Sequence, residues 1–571
     1  MGWHEFADGD FFSATLLATP LVVSLRYGAM RLRSALQSAL AILTGVLYPL
    51  CFPNFDLGWL AWMLLVPLHV AIGEVPPRRA FWLGWTAGWI GFMGTMGWVV
   101  TAMHIYGKMP LLWSYLALTL LAAYLGLHVA VYTVTVTWLR RTLPPSALLA
   151  APFIWVTLEL IRTSLFSGLP WALLGYSQSQ WLSAIQIADL TGVYGVSFVI
   201  VLVNVALAES LLWVIRKYRT LPLRQPLTTF PWATPAAALV VFAGSLMYGL
   251  VILRATELPS TGLTIGLVQA NIDQAHKWDA AYRQETLDRY ARLTGEATDK
   301  TDLVIWPEAA TPFLFEQELV YRGIVESMVR HYGVPLLFGS PALRYYANGK
   351  PYLMNSAYLF SPEGRILGRY DKRHLVPFGE YIPLRSFLFF LDKLVEGIGD
   401  FEAGTVPTVL TLPAKPDGYS GPSPRTPPKF GVVICFEAIF PDLVREFVRD
   451  GADFMVTITN DAWFGDSAAP YQHFGMVVLR AVENHVAFAR AANTGISGFI
   501  DPYGRVLNAS PIFTEQAMIG RIPVRNAPTF YSRHGDVFAY GCVIITGLFL
   551  LAALWRTGGN VQQPLVVGAT T

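Results

Sequence analysis

The chain has 571 residues, 54% of them hydrophobic and only 14% charged, against roughly 25% charged in ordinary soluble domains. Much of it therefore belongs in lipid, and a net charge of +2 gives no reason to expect nucleic acid or an acidic partner. The three cysteines, Cys51, Cys435 and Cys542, exclude a disulfide framework, and two of them sit in apolar runs where they read as small buried hydrophobes.

In chain order, residues 1–32 form an N-terminal extension whose apolar stretch, 11–27, is short, contains Pro20 and ends in Arg26. This pattern predicts an interfacial or partly inserted segment, with an uncleaved signal-like segment or an extra span as alternatives. A transmembrane domain of seven helices is then expected over 33–258. Stretches long enough to cross about 30 Å of hydrocarbon lie at 34–52, 57–74, 80–103, 112–139, 146–162, 192–215 and 232–253. An eighth, 535–555, falls in a final segment, 533–571, that ends in a tail. In these apolar stretches Glu159 and Arg162 stand at helical i,i+3 spacing, which would let them pair and lower their burial cost.

Basic residues cluster in alternate connections: Arg26, Arg31 and Arg33; Arg78 and Arg79; Arg140 and Arg141; Arg216, Lys217, Arg219 and Arg224. The opposite connections carry few, such as Lys108 and Arg162. By the positive-inside rule the basic loops are cytoplasmic, and the chain leaving the seventh helix emerges on the far side. Arg556, after the last helix, returns to the cytoplasm. The intervening soluble part is then extracytoplasmic.

That part, 259–532, alternates strand and helix. Apolar strand runs occur at Thr264-Ile265-Gly266-Leu267-Val268, Leu303-Val304-Ile305-Trp306, 335–339, 432–434 and 454–459, with helical patterns at 281–298, 317–331, 442–450 and 473–491. An α/β layer domain follows from this alternation. Residues 415–428, rich in Pro, Gly and Ser, read as an exposed loop directly before the Cys435 strand.

Cys435 ends an apolar run at a turn, in Val432-Val433-Ile434-Cys435-Phe436-Glu437. A thiol near its free pKa of about 8.5 is mostly protonated at neutral pH, so a nucleophilic cysteine needs a base or a nearby positive charge. Glu308, in Val304-Ile305-Trp306-Pro307-Glu308, and Lys372, in Tyr370-Asp371-Lys372-Arg373-His374, end other strand-like runs and offer both. Glu308 would take the thiol proton and later return it to the leaving group. Lys372 and the backbone N–H after Cys435 would stabilise an acyl oxyanion, each good donor worth roughly 3 kcal/mol. Glu380, in Phe378-Gly379-Glu380-Tyr381, would orient the lysine or an attacking amine.

Local context alone leaves these as packing or surface residues. Together, however, Trp306-Pro307-Glu308, the run Lys372 to Glu380 and Cys435-Phe436-Glu437 resemble the Glu-Lys-Cys triad and second Glu of the nitrilase, or carbon-nitrogen hydrolase, superfamily. Within it, Asn460-Asp461-Ala462-Trp463-Phe464-Gly465, Gln472-His473-Phe474, the 480–493 segment, Leu169-Pro170-Trp171 and Lys277-Trp278-Asp279 resemble the apolipoprotein N-acyltransferases. The resemblance spans the chain from about residue 34.

It implies an αββα nitrilase-like catalytic domain on the periplasmic side of a bacterial inner (cytoplasmic) membrane, with no cofactor and no metal. It implies that Cys435 takes an acyl chain from a phospholipid as a thioester, and that the α-amino group of a diacylated apolipoprotein accepts it. Trp171, Trp278, Phe436 and Trp463 are candidates to line the acyl path, and Glu437 and Tyr381 to support the nucleophile or substrate. The family commonly carries Tyr where this chain has Phe436. Eight membrane helices favour a monomer over the oligomers of soluble nitrilases.

Two alternatives remain at this level: a membrane-anchored amidase using the same triad, and an inactive lipid- or lipoprotein-binding module. His374, His473 and His485 lie on different elements without ligand spacing, and no Gly-x-Ser-x-Gly elbow occurs, so neither a Ser-His-Asp triad nor a metal centre is expected.

Overall fold

The structure, a computed structural model, describes residues 11–218, 230–256, 262–298, 300–382, 401–414, 427–524 and 527–559, without the side chains of 11–29, 145–147 and 558–559. Most of the expected loop at 415–428, Arg219 and Arg224, and the side chain of Arg26 lie outside the described residues.

Apolar helices dominate the first part. Among the described residues, five combine the length and hydropathy needed to cross a membrane: Leu111–Thr142, Leu148–Ser167, Val193–Tyr218, Ala233–Ala255 and Val537–Thr557. Two further helices, Phe11–Leu50 and Pro77–Thr95, pack with them. The first runs through residue 32 without a break, so the extension continues into the helix that follows it. Helices Pro77–Thr95 and Leu111–Thr142 approach closely because Gly88 faces Gly126, where a Cβ on Gly88 would lie 2.8 Å from the opposing Cα. Close backbone approach of this kind is what holds helices together where the surroundings are as apolar as the side chains.

The stretch 57–74, read as one span, is instead two pieces, a 3-10 turn Gly58–Trp62 and a short helix Val66–Ala71. Pro67 stands in the first turn of the second piece, and Asn204 fills the break. Its Oδ1 accepts from Leu65 N at 2.7 Å and its Nδ2 donates to Ala61 O at 2.8 Å. Backbone groups freed from a helix are thereby satisfied away from water. Nor do Glu159 and Arg162 point at each other in a direct ion pair. Glu159 Oε1 accepts from Trp155 Nε1 and Leu174 N, while Arg162 Nη2 donates to Ala172 O. Both brace the loop that carries Trp171.

The second part is a sandwich of two six-stranded sheets. The first holds β1 (Leu263–Gln269), β2 (Leu303–Ile305), β3 (Leu336–Tyr345), β4 (Pro351–Phe360), β5 (Ile366–Asp371) and β12 (Gln516–Ile522), in the order β12-β1-β2-β3-β4-β5. The second holds β6 (Leu410–Thr411), β7 (Lys429–Ile434), β8 (Phe454–Thr459), β9 (Phe488–Ala492), β10 (Gly498–Ile500) and β11 (Val506–Ala509), in sequence-reversed order. Alternation along the strands sorts the core. Ile265, Leu267, Leu303, Ile305, Leu337 and Leu359 join Val432, Val456 and Ile458 between the sheets. Their neighbours Val268, Val304, Trp306, Leu336 and Phe338 pack under helices Arg283–Ala297 and Leu319–Tyr332. Helices Pro441–Arg449 and Ala469–Asn484 flank the second sheet, giving the αββα layering.

One expected helix overran its real end. The 473–491 pattern stops at Asn484, where His485 turns left-handed (φ 46), and the next residues form β9. Fully buried parallel strands have continuous apolar runs that periodicity does not distinguish from helix.

Candidate active site

β2, β5 and β7 deliver three side chains to one end of the sandwich. Glu308 follows β2 at a tight turn, with Ala309 at φ 47. Here Gly339 is required, because a Cβ on it would sit 2.6 Å from Glu308 Cα. Lys372 is the first residue after β5, its N–H bonded to Asn355 O at 2.8 Å. Cys435 follows β7 and opens a 3-10 turn, Cys435–Ile439, with its own φ at 52.

Lys372 Nζ, buried, lies 2.9 Å from Glu380 Oε1 and 3.4 Å from Glu308 Oε1. Burial alone would lower its pKa, but the two carboxylates outweigh it and hold the ammonium well above its ordinary value. Glu308 Oε2 accepts from Asn460 N at 2.9 Å. Glu380 Oε2 accepts from Val376 N at 2.8 Å. Cys435 is half-buried and within electrostatic reach of both Glu308 and Lys372. Burial pushes the thiol above its usual range and the Glu308 carboxylate adds to this, while Lys372 pulls the other way. A thiol held protonated beside a carboxylate suits proton transfer at the moment of attack rather than a standing thiolate.

Glu437 is fully buried and grips backbone. Oε1 accepts from Arg373 N and Tyr370 Oη at 2.7 Å and from His374 N at 3.1 Å, and Oε2 accepts from Ile434 N at 2.7 Å. It thus ties the exit of β5 to the nucleophile turn. Phe436 packs against His374 and Phe440. Tyr381 Oη reaches Ser167 Oγ at 3.4 Å, on the membrane part.

The aromatic candidates scatter. Trp171 is buried against Trp98, Phe464 and His473, and donates through Nε1 to Gln472 Oε1 at 2.7 Å. Trp278 and Trp463 are exposed, the latter edge-on to Tyr106. Beside Gln472 a cavity of about 260 Å³ opens between the membrane part and the sandwich, lined by Pro49, Asn54, Trp98, Thr101 and Ser467 among others.

Two polar residues at the site were not among the candidates. Asn355, on β4, donates through Nδ2 to both Glu308 Oε1 (2.7 Å) and Glu380 Oε1 (2.9 Å). It brings the two carboxylates into one frame. Lys277, buried, donates to Glu308 O at 3.2 Å; burial, against the pull of Glu308 and Cys435, brings its pKa down to about 8. Lys277 carried a signal, since it immediately precedes Trp278 in a motif already singled out. Asn355 carried none, because only the β3–β4–β5 register sets it beside the acids.

Residues 264–528 match the family model described as carbon-nitrogen hydrolase, and residues 44–206 match the one described as apolipoprotein N-acyltransferase N-terminal domain. The class is therefore a carbon-nitrogen hydrolase domain joined to an apolar helical one. An apolipoprotein N-acyltransferase of Geobacter metallireducens is 41% identical over 521 residues, covering 90% of this chain and 94% of its own length. One from Chlorobaculum tepidum is 32% identical, covering 90% and 96%. An amidase from Nesterenkonia sp. of known structure aligns with 47% of this chain and 92% of its own at 20% identity, with a TM-score of 0.34. The chain belongs to the apolipoprotein N-acyltransferase family, an acyltransferase family within the carbon-nitrogen hydrolases.

Proposed function

We propose that this protein is an inner-membrane apolipoprotein N-acyltransferase working by ping-pong transfer. Glu308 takes the proton of Cys435 as the sulfur attacks the ester carbonyl of a phospholipid, and returns it to the departing lysophospholipid hydroxyl. Lys372 and the N–H of Phe436 stabilise the oxyanion of the tetrahedral intermediate. The thioester is then attacked by the α-amino group of a diacylglyceryl-cysteine, whose proton passes to Glu308 and on to the thiolate. Product is the triacylated lipoprotein and a regenerated thiol.

The observation that carries this reading is the buried frame of Glu308, Lys372 and Glu380 cross-linked by Asn355, next to a thiol kept protonated. The substrates' acyl chains fit a site on a membrane part, because each CH₂ costs about 0.8 kcal/mol to expose to water. The cavity beside Gln472, lined by both apolar and polar side chains, offers an approach from the membrane part; Trp171, Phe436, Trp278, Trp463 and Tyr381 are candidates to meet substrate elsewhere around the site.

Charge supports an orientation. Arg33 and Arg216 both meet Glu74, Arg79 bonds Ser38, and Arg556 reaches Thr142 O. Gln472 of the sandwich bonds Pro53 O and Thr95 O at the other end of the bundle. Basic residues gathered at the end away from the sandwich support a periplasmic catalytic domain and eight crossings, the second broken at 58–71.

The test is incubation of purified protein with labelled phospholipid and a diacylated lipopeptide. Label on the lipopeptide amine with stoichiometric lysophospholipid is expected. Ammonia release from a small amide without lysophospholipid would instead favour the amidase reading.

A further inference from the structure

We propose that His473 is a positioning residue for the nucleophile turn: its Nε2–H, donated to the carbonyl oxygen of Cys435 at 3.1 Å, fixes the peptide that follows the sulfur. The inference rests on Cys435 being the acyl carrier.

Cys435 holds a left-handed backbone at φ 52, a strained conformation for a non-glycine residue that persists only where the surroundings over-determine it. Glu437 secures the strand side of the turn through Ile434 N. His473 secures the other side. Because a peptide unit is planar and trans, gripping the Cys435 carbonyl also sets the opposite direction, in which the N–H of Phe436 points. That N–H is the backbone donor offered to the oxyanion. His473 therefore aims a donor without touching substrate.

The ring is itself held. A carbonyl oxygen only accepts, so the imidazole proton must sit on Nε2. Nδ1 accepts from Arg490 Nη2 at 3.1 Å and stands 3.2 Å from Asp461 Oδ1. Asp461 is bound in turn by Arg490 Nη2 at 2.8 Å and Thr459 Oγ1 at 2.8 Å. All three side chains are buried. Burial, and then the Arg490 charge, lowers the His473 pKa, keeping the ring neutral in this tautomer. The titratable and charged groups that face it are Asp461, Arg490 and Cys435; Trp171 closes its remaining side. The preceding residue, Gln472, is fastened to Trp171, Pro53 and Thr95 of the membrane part. The helix that carries His473 is thus anchored independently of the strand it steadies.

The deciding experiment compares H473Q, which keeps a donor, with H473M, of similar volume without one, in full-length protein with phospholipid as acyl donor. Thioester formation is followed in single turnover, with donor half-saturation and the pH profile measured alongside. H473M is expected to slow acylation roughly 100-fold, the loss seen when an oxyanion donor is removed, with half-saturation nearly unchanged; H473Q should regain most of that rate with an unaltered pH profile. A variant that does not accumulate is replaced by R490K, expected to slow acylation with half-saturation unchanged; wild-type acylation in R490K contradicts the proposal. Near-wild-type acylation by H473M overturns it. So does an H473Q as slow as H473M that has lost a limb near the ordinary histidine pKa of about 6.5, which makes the ring an acid–base catalyst. Transfer surviving in C435A would instead remove the reading of Cys435 on which the inference stands.

Discussion

In the proposed reaction Cys435 depends on its neighbours, because burial and the Glu308 carboxylate both hold its proton on. Glu308→Gln, which keeps the shape but not the basicity, should lower thioester formation by about 10²–10⁴-fold, the range for loss of a general base. Equal turnover in that variant would assign the proton elsewhere. Asn355→Leu removes the shared donor of Glu308 and Glu380 while filling similar space. Two buried carboxylates then lose a partner, each at about 1–3 kcal/mol, and acylation should fall well over tenfold without loss of membrane insertion. A variant that acylates normally would show that the frame is dispensable. At this scale Glu308, Lys372, Glu380 and Cys435 were legible because each travels with contiguous motif residues. Asn355 and the role of His473 were not, since both depend on which strands become neighbours. Phe436 is packed against the rings of His374 and Phe440, so its side chain is taken up by packing.

Among elements, the joints matter more than the elements themselves. Glu437 accepts from four groups that all donate, three of them backbone. Gln in its place turns one acceptor into a donor facing another donor. Glu437→Gln is therefore expected to destabilise the catalytic domain by about 1–3 kcal/mol and to slow acylation, read by thermal unfolding and single turnover together. Unchanged stability would contradict the clamp. Asp461 makes the corresponding joint between the end of β8, helix Ala469–Asn484 and β9. Burial alone would raise its pKa, but the Arg490 guanidinium, helped by the hydroxyl of Thr459, brings it down to about 2. In the unfolded chain its pKa is about 3.9, so between these values the unfolded state binds more protons and stability rises with pH. The contribution is complete above about pH 3.9 and is lost as pH falls towards 2. Thermal unfolding of Asp461→Asn should be flatter across that acid window than wild type; parallel curves would deny the joint. Strand existence was legible from apolar runs such as Phe454-Met455-Val456, whereas β9 was hidden inside a helical pattern. The missing signal was the left-handed His485, a turn no residue type announced.

For the whole molecule, composition carried the division into an apolar helical part and an α/β sandwich. The break within 58–71 was not visible, because its apolar run is nearly continuous and its polar support comes from Asn204 in a distant helix. The orientation can be tested with single cysteines in intact cells and a membrane-impermeant thiol reagent. A cysteine at exposed Asn348, in the β3–β4 turn, should label from outside, and one at exposed Arg556 only after permeabilisation. The reverse pattern would invert the topology and move the catalytic domain to the cytoplasm.

In the proposed reaction Cys435 carries the acyl chain between the two substrates. Intact-protein mass spectrometry after exposure to phospholipid alone tests it most directly. A mass increase of one acyl group is expected on the peptide containing Cys435, absent in C435A and discharged by a diacylated lipopeptide with the label recovered on its amine. Transfer at the wild-type rate with no adduct at Cys435, or in C435A, would contradict it.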